Sequence, residues 1–178
     1  MPEEMLLVVD DSDNIKGYAT RAGCHTGNGR HHRAFVLLLY NKEKKILIQK
    51  RKSKLWDGFW DITGASHVLH VNGRNESYEE AAERCAKNEW GTSARMKKIL
   101  AFNYFERFDG KCENEYCALI AGQIKGKIKP DKNHVHDHRW VILKDLVDDM
   151  DKNPDKYVPW AKVAVDRLLE SKEAKKFA

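Results

Sequence analysis

Residues 33–40 read RAFVLLLY, an apolar run without polar interruption from Ala34 to Tyr40. Successive side chains of a strand point to opposite faces, so a strand with one wet face alternates apolar and polar residues. This run offers water nothing on either side. It must be a central strand covered on both faces, and the chain must supply the layers that cover it. Asn41-Lys42-Glu43-Lys44 turns the chain, and residues 45–50 return as a second strand, which predicts a hairpin.

The rest of the chain supplies candidates for those layers. Residues 5–10 predict a strand, central or at an edge, ended by Asp11-Ser12-Asp13-Asn14. Residues 16–29 are poor in apolar side chains except around Ala22 to Cys24. Trp56 to Trp60 form an aromatic loop around Gly58, and residues 62–71 lead into a helix. That helix is ESYEEAAERCAKNEWG, residues 76–91. Ser77 and Glu80 make a capping box, Tyr78, Ala81, Ala82 and Cys85 share one face, and Gly91 supplies the stop. Residues 99–107 and 112–122 are strands around Asp109-Gly110, a hairpin signal. Residues 138–143 form another strand and 143–150 a short helix. Pro159 opens a last helix with Trp160, Val163, Ala164 and Leu168 on one face. The sum is α+β, a mixed sheet with helices packed on it, in one domain over residues 1–178.

No apolar stretch approaches the ~18–20 residues of a membrane span, and the acidic start MPEEMLLVVD does not read as a signal peptide. Cys24, Cys85, Cys112 and Cys117 show no paired spacing, which suits reduced thiols in a cytoplasmic protein. A net charge of +5 suits an anionic ligand. Lys50, Arg51, Lys52 and Lys54 form the strongest basic cluster, able to bind phosphate or to fringe a strand; residues 172–176 read as a frayed Lys-rich tail. No alternation of aromatic and basic residues points to nucleic acid.

His25 and His32 stand seven residues apart, and His67 lies between the aromatic loop and the helix. Glu113 and Glu115 fall on one face of their strand, where two carboxylates repel unless a cation or a proton lies between them. Histidines with two carboxylates suit a divalent ion if the fold brings them together.

In the helix, Glu76, Arg84, Glu89 and Gly91 stand at the spacing of the second half of a Nudix box, with Cys85 and Asn88 where the box has glutamates. From about residue 25 to 160 the chain resembles type I isopentenyl-diphosphate isomerase, a branch of the Nudix superfamily that keeps only the late glutamate of that helix. The resemblance implies a Nudix fold, an α/β/α sandwich with its core over about residues 25–170. It implies five ligands for one divalent ion, His25, His32, His67, Glu113 and Glu115, and a role for Glu89 in holding a second ion on a small-molecule diphosphate substrate. Mg²⁺ or Mn²⁺ is the expected metal, with Zn²⁺ an option in the five-ligand site. Glu115 and Tyr104 would serve one proton transfer, and the π face of Trp160 would stabilise a tertiary cation.

Two departures stand out. The family's catalytic cysteine position is Ala65, and the basic loop that carries the candidate diphosphate ligands Arg51 and Lys54 is about two residues shorter than the family's; Arg84 is a further candidate. Cys85 and Cys24 are the thiols that would stand in. Three readings follow: an isomerase-type enzyme, a Nudix hydrolase splitting a diphosphate with a metal-activated water, and a non-catalytic binder of an isoprenoid diphosphate.

Overall fold

The computed structural model describes residues 4–177. Its elements are β1 (Met5–Val9), β2 (Ile15–Thr20), α1 (Arg21–His25), β3 (His32–Tyr40), β4 (Ile46–Arg51), β5 (Trp60–Asp61), β6 (Gly64–His67), β7 (Leu69–Val71) and β8 (Arg74–Asn75). They continue through α2 (Tyr78–Trp90), β9 (Met96–Phe108), β10 (Lys111–Gln123), β11 (Val135–Val141), α3 (Leu143–Lys152) and α4 (Pro159–Glu170).

β3 is the axis of a mixed sheet. One edge pairs in parallel with β10 from Glu115↔His32 to Gln123↔Tyr40. The other edge takes β1 at Val8↔His32, β6 from Ala34↔His67 to Leu37↔Gly64, and β4 at Tyr40↔Ile46. Alternation then divides the apolar run. Ala34, Val36, Leu38 and Tyr40 pack with Leu146, Trp160, Ala164 and Leu168 of α3 and α4. Phe35, Leu37 and Leu39 pack with Tyr78, Ala82, Cys85 and Trp90 of α2. Both faces are covered, as the sequence requires; each fully buried leucine of the run contributes about 1.5–3 kcal/mol relative to exposure.

α2 begins with both halves of the capping box between Ser77 and Glu80. It ends at Gly91, whose φ of 56° is left-handed and where a Cβ would press on the Lys129 backbone. Asp109 and Gly110 both take positive φ, closing the predicted β9–β10 hairpin.

Four expectations change. The predicted β3–β4 hairpin touches at only one residue pair, Tyr40↔Ile46, because β6 occupies the edge of β3 that β4 would have used. β4 pairs instead with β11 and β5. Residues 16–29 contain β2 and α1: β2 is mostly exposed on its way along β1, so an apolar pattern never marks it. β11 starts at Val135, ahead of the expected 138. The Lys-rich tail is a 3₁₀ turn, Lys172–Lys176, anchored by buried Phe177 against the Tyr40 ring at 5.1 Å.

Candidate active site

The β3-centred register sets the site. His32 on β3, Glu115 on β10 and His67 on β6 occupy neighbouring strands, and strand alternation turns all three to the α4 face of the sheet. α1 adds His25 from the side. Thr20 caps that short helix by accepting the Gly23 N–H, and its last residue is His25. The three imidazoles lie with centroids 4.8–5.0 Å apart. One donor atom each from His25, His32, His67 and Glu115 falls within 4.8 Å of the others.

The backbone dictates the tautomers. His25 donates Nδ1–H to the Arg21 carbonyl at 2.7 Å, and His32 donates Nδ1–H to the Arg30 carbonyl at 2.7 Å. Their Nε2 atoms therefore face the cluster. His25 Nε2 lies 3.1 Å from Glu113 Oε2, and His67 Nε2 lies 3.4 Å from Glu115 Oε1. His32 Nε2 lies 3.8 Å from Glu115 Oε1 and, like His67 Nδ1, is buried without a hydrogen-bond partner. Burial pushes His32 down to about 4 and His67 well below its ordinary range, helped by the neighbouring rings, so both are neutral at pH 7. Burial, then the charge of Glu113, raises Glu115 well above the usual carboxylate range. Burial alone would raise Glu113 too, but its hydrogen bond with His25 and the charge there hold it low. The lone pair of neutral His32 Nε2 thus faces a Glu115 oxygen in a buried pocket that also gathers His25, His67 and Glu113. That donor set fits a divalent cation, and the backbone bonds to the outer ring nitrogens are the usual support for such ligands.

His25, His67, Glu113 and Glu115 form the floor of a cavity of about 520 Å³, with His32 buried out of it. Val36, Leu55, Trp56 and Trp160 make its apolar wall, and Arg21, Arg51, Lys54 and Lys111 also line it. A second cavity of about 260 Å³ is polar, lined by Arg21, Arg51, Lys52, Arg84, His134 and one carboxylate, Glu89. Arg21, Arg51, Ser53, Ala65 and Ser66 line both cavities. Ala65 therefore sits where the apolar and cationic chambers meet.

Each expected residue has a definite position. Glu89 is outside the histidine cluster; its Oε2 accepts from Gln49 at 3.2 Å, and burial raises its pKa. Arg84 makes a bidentate pair with Glu76 at 2.8 and 2.9 Å and donates to the His67 carbonyl at 2.9 Å, so it braces the ligand strand as it borders the polar cavity. Tyr104 faces Glu115 across the β9–β10 ladder, its hydroxyl buried and unpaired, but it does not line the large cavity. Cys85 borders the polar cavity with its thiol pushed well up by burial and by Glu89. Cys24 belongs to a separate apolar cluster with Leu6, Ala19 and Leu69. Sequence reasoning missed Arg21, Cys117 and Asp61. Arg21 stands one helical turn before His25, a spacing that could have flagged it. Cys117 follows Glu115 by two on the same strand face and lines the large cavity.

Residues 30–161 match the NUDIX domain. The chain belongs to the Nudix family. Among its relatives, an isopentenyl-diphosphate Delta-isomerase of Paenarthrobacter aurescens is 30% identical over 94% of this chain and 92% of its own length. Isopentenyl-diphosphate Delta-isomerase 2 of Aromatoleum aromaticum is 28% identical over 94% of this chain and 87% of its own. Among solved structures, a protein from Deinococcus radiodurans superposes with a TM-score of 0.70 at 18% identity, covering 92% of this chain and 98% of that one. The MutT protein of Methanosarcina mazei gives 0.57 at 18% identity, over 78% of this chain and 94% of its own. The domain and these relatives mark the chain as an enzyme.

Proposed function

We propose that the chain interconverts isopentenyl and dimethylallyl diphosphate by moving one double bond. The observation that carries this reading is the junction at Ala65 of an apolar chamber, floored by histidines and glutamates, with a cationic one. A small branched alkenyl diphosphate has the same two parts. Arg21, Arg51, Lys52 and Lys54 would neutralise the diphosphate. Burying the hydrocarbon between Trp56 and Trp160 gains about 0.8 kcal/mol per CH₂.

His25, His32, His67, Glu113 and Glu115 would hold one divalent ion, and Glu89 a second together with the diphosphate. A bound ion supplies positive charge that polarises the carboxyl it touches. Glu115, at the floor, exchanges a proton with the substrate. Tyr104, beside it on the ladder, supports Glu115 from behind. Trp160 presents an aromatic surface to the tertiary cation, an interaction worth about 2 kcal/mol when desolvated. Ala65 has no proton to exchange, so the second transfer falls to solvent or substrate and runs slowly. Hydrolysis is less favoured, because Cys85 and Asn88 border the polar cavity where catalytic carboxylates would be needed.

The test is the assay in ²H₂O with Mg²⁺ or Mn²⁺. Slow isomerisation without phosphate release is expected, and Ala65→Cys should speed it by about 10², the low end for restoring an acid–base group. Release of phosphate or of a monophosphate, with Ala65→Cys inert in isomerisation, would overturn the isomerase reading in favour of the hydrolase.

A further inference from the structure

Asp61 is fully buried on β5, behind two of the residues that line the large cavity. Its Oδ2 accepts Nη1–H of Arg51 at 2.9 Å and Nε1–H of Trp160 at 3.0 Å. Its Oδ1 has no partner, and neither does Nε of Arg51. Taking a carboxylate out of water costs several kcal/mol, and Arg51 is the cation that makes it tolerable. Charge neutralisation of Arg51 needs no third member, yet the same oxygen also holds the indole.

The indole link has an electronic consequence. An N–H that donates to an anion leaves more electron density in its ring, and a richer ring has a more negative face. That face is what attracts a cation. The Arg51 guanidinium carbon, held by the same carboxylate, lies 5.1 Å from the Trp160 ring centroid. Trp56 packs edge-on against Trp160 at 5.6 Å and fixes the ring plane.

We infer that Asp61 is a positioning residue that orients Trp160 and enriches its π face, making the indole the cation-stabilising wall of the cavity. The inference rests on the reading of Trp160 as the wall beside the developing carbocation. It adds the device that tunes that wall.

The experiment compares two diphosphates of one shape: dimethylaminoethyl diphosphate, whose ammonium mimics the tertiary cation, and isopentyl diphosphate, its neutral isostere. Affinities for the pair are measured calorimetrically on wild type, Asp61→Asn, Trp160→Phe and the double variant. Wild type is expected to prefer the ammonium, and Asp61→Asn to cut that preference about tenfold, which is 1.4 kcal/mol. A merely structural role would weaken both ligands alike and leave the ratio unmoved. If Asp61→Asn lowers the ratio as much in the Trp160→Phe background, the effect is a direct field of the carboxylate and the inference falls. Should Asp61→Asn fail to fold, Trp160→Phe alone decides: it keeps an aromatic face without the N–H, so an unchanged ratio overturns the inference. Equal affinity of wild type for both ligands would instead overturn the isomerase reading beneath it.

Discussion

At the scale of single residues, the decisive chemistry is the orientation of lone pairs. The Arg21 and Arg30 carbonyls each take an Nδ1–H, so His25 and His32 can turn only Nε2 inward, towards Glu113 and Glu115. A buried acceptor facing an acceptor is costly unless a cation or a proton sits between them. Elemental analysis should therefore find one tightly held divalent ion in wild type, lost in Glu115→Gln and in His67→Ala. Equal metal content in all three proteins would show that the cluster is a proton-sharing network and no metal centre. The three histidines and two glutamates were readable in the sequence only as a set, through resemblance. Their individual spacings are compatible with ordinary surface positions. Asp61 was not readable at all, because its meaning lies in Trp160, 99 residues further along the chain.

Elements differ in how far their causes are local. α2 is specified within its own sequence: the cap, the apolar face and the stop lie in residues 76–91, and the helix forms where the pattern puts it. Ser77→Ala should remove one cap and cost about 1 kcal/mol, read as a melting temperature lower by about 2–4 °C. Glu89→Gln tests the same helix for function. It lines the cationic cavity apart from the histidines, so the substitution should weaken diphosphate binding in Mg²⁺ and leave the tight ion in place. Unchanged calorimetric affinity would make α2 a structural helix only. Strand pairing is the opposite case. RAFVLLLY announces a central strand, but which strands flank it depends on competition among segments far apart, and β6 wins the edge expected for β4. β2 and α1 escaped notice for a different reason: they are exposed or very short, and the core pattern that reveals strands and helices is absent from them.

In the molecule as a whole, the histidine–glutamate cluster draws its side chains from four segments, three of them already paired in the sheet. α1, β3, β6 and β10 each bring one potential donor atom to within 4.8 Å of the others, from residues 25 to 115 of the chain. The unfolded chain cannot gather those donors, so an ion that binds there binds the native state almost exclusively and stabilises it by mass action. Free metal at about a thousand times its dissociation constant would add about 4 kcal/mol. In a chain of 178 residues each kcal/mol moves the melting temperature by about 2–4 °C. Stripping the protein with a chelator should thus lower its melting temperature by about 8–16 °C, and restoring the ion should recover it. His67→Ala removes a ligand, so its melting temperature should be low from the start and insensitive to chelator. This comparison separates the metal from the packing: the two α-helical layers that flank β3 are untouched by chelation. A wild-type melting temperature indifferent to the chelator would mean that packing alone holds the four segments together, and the buried imidazoles would then need a role without an ion.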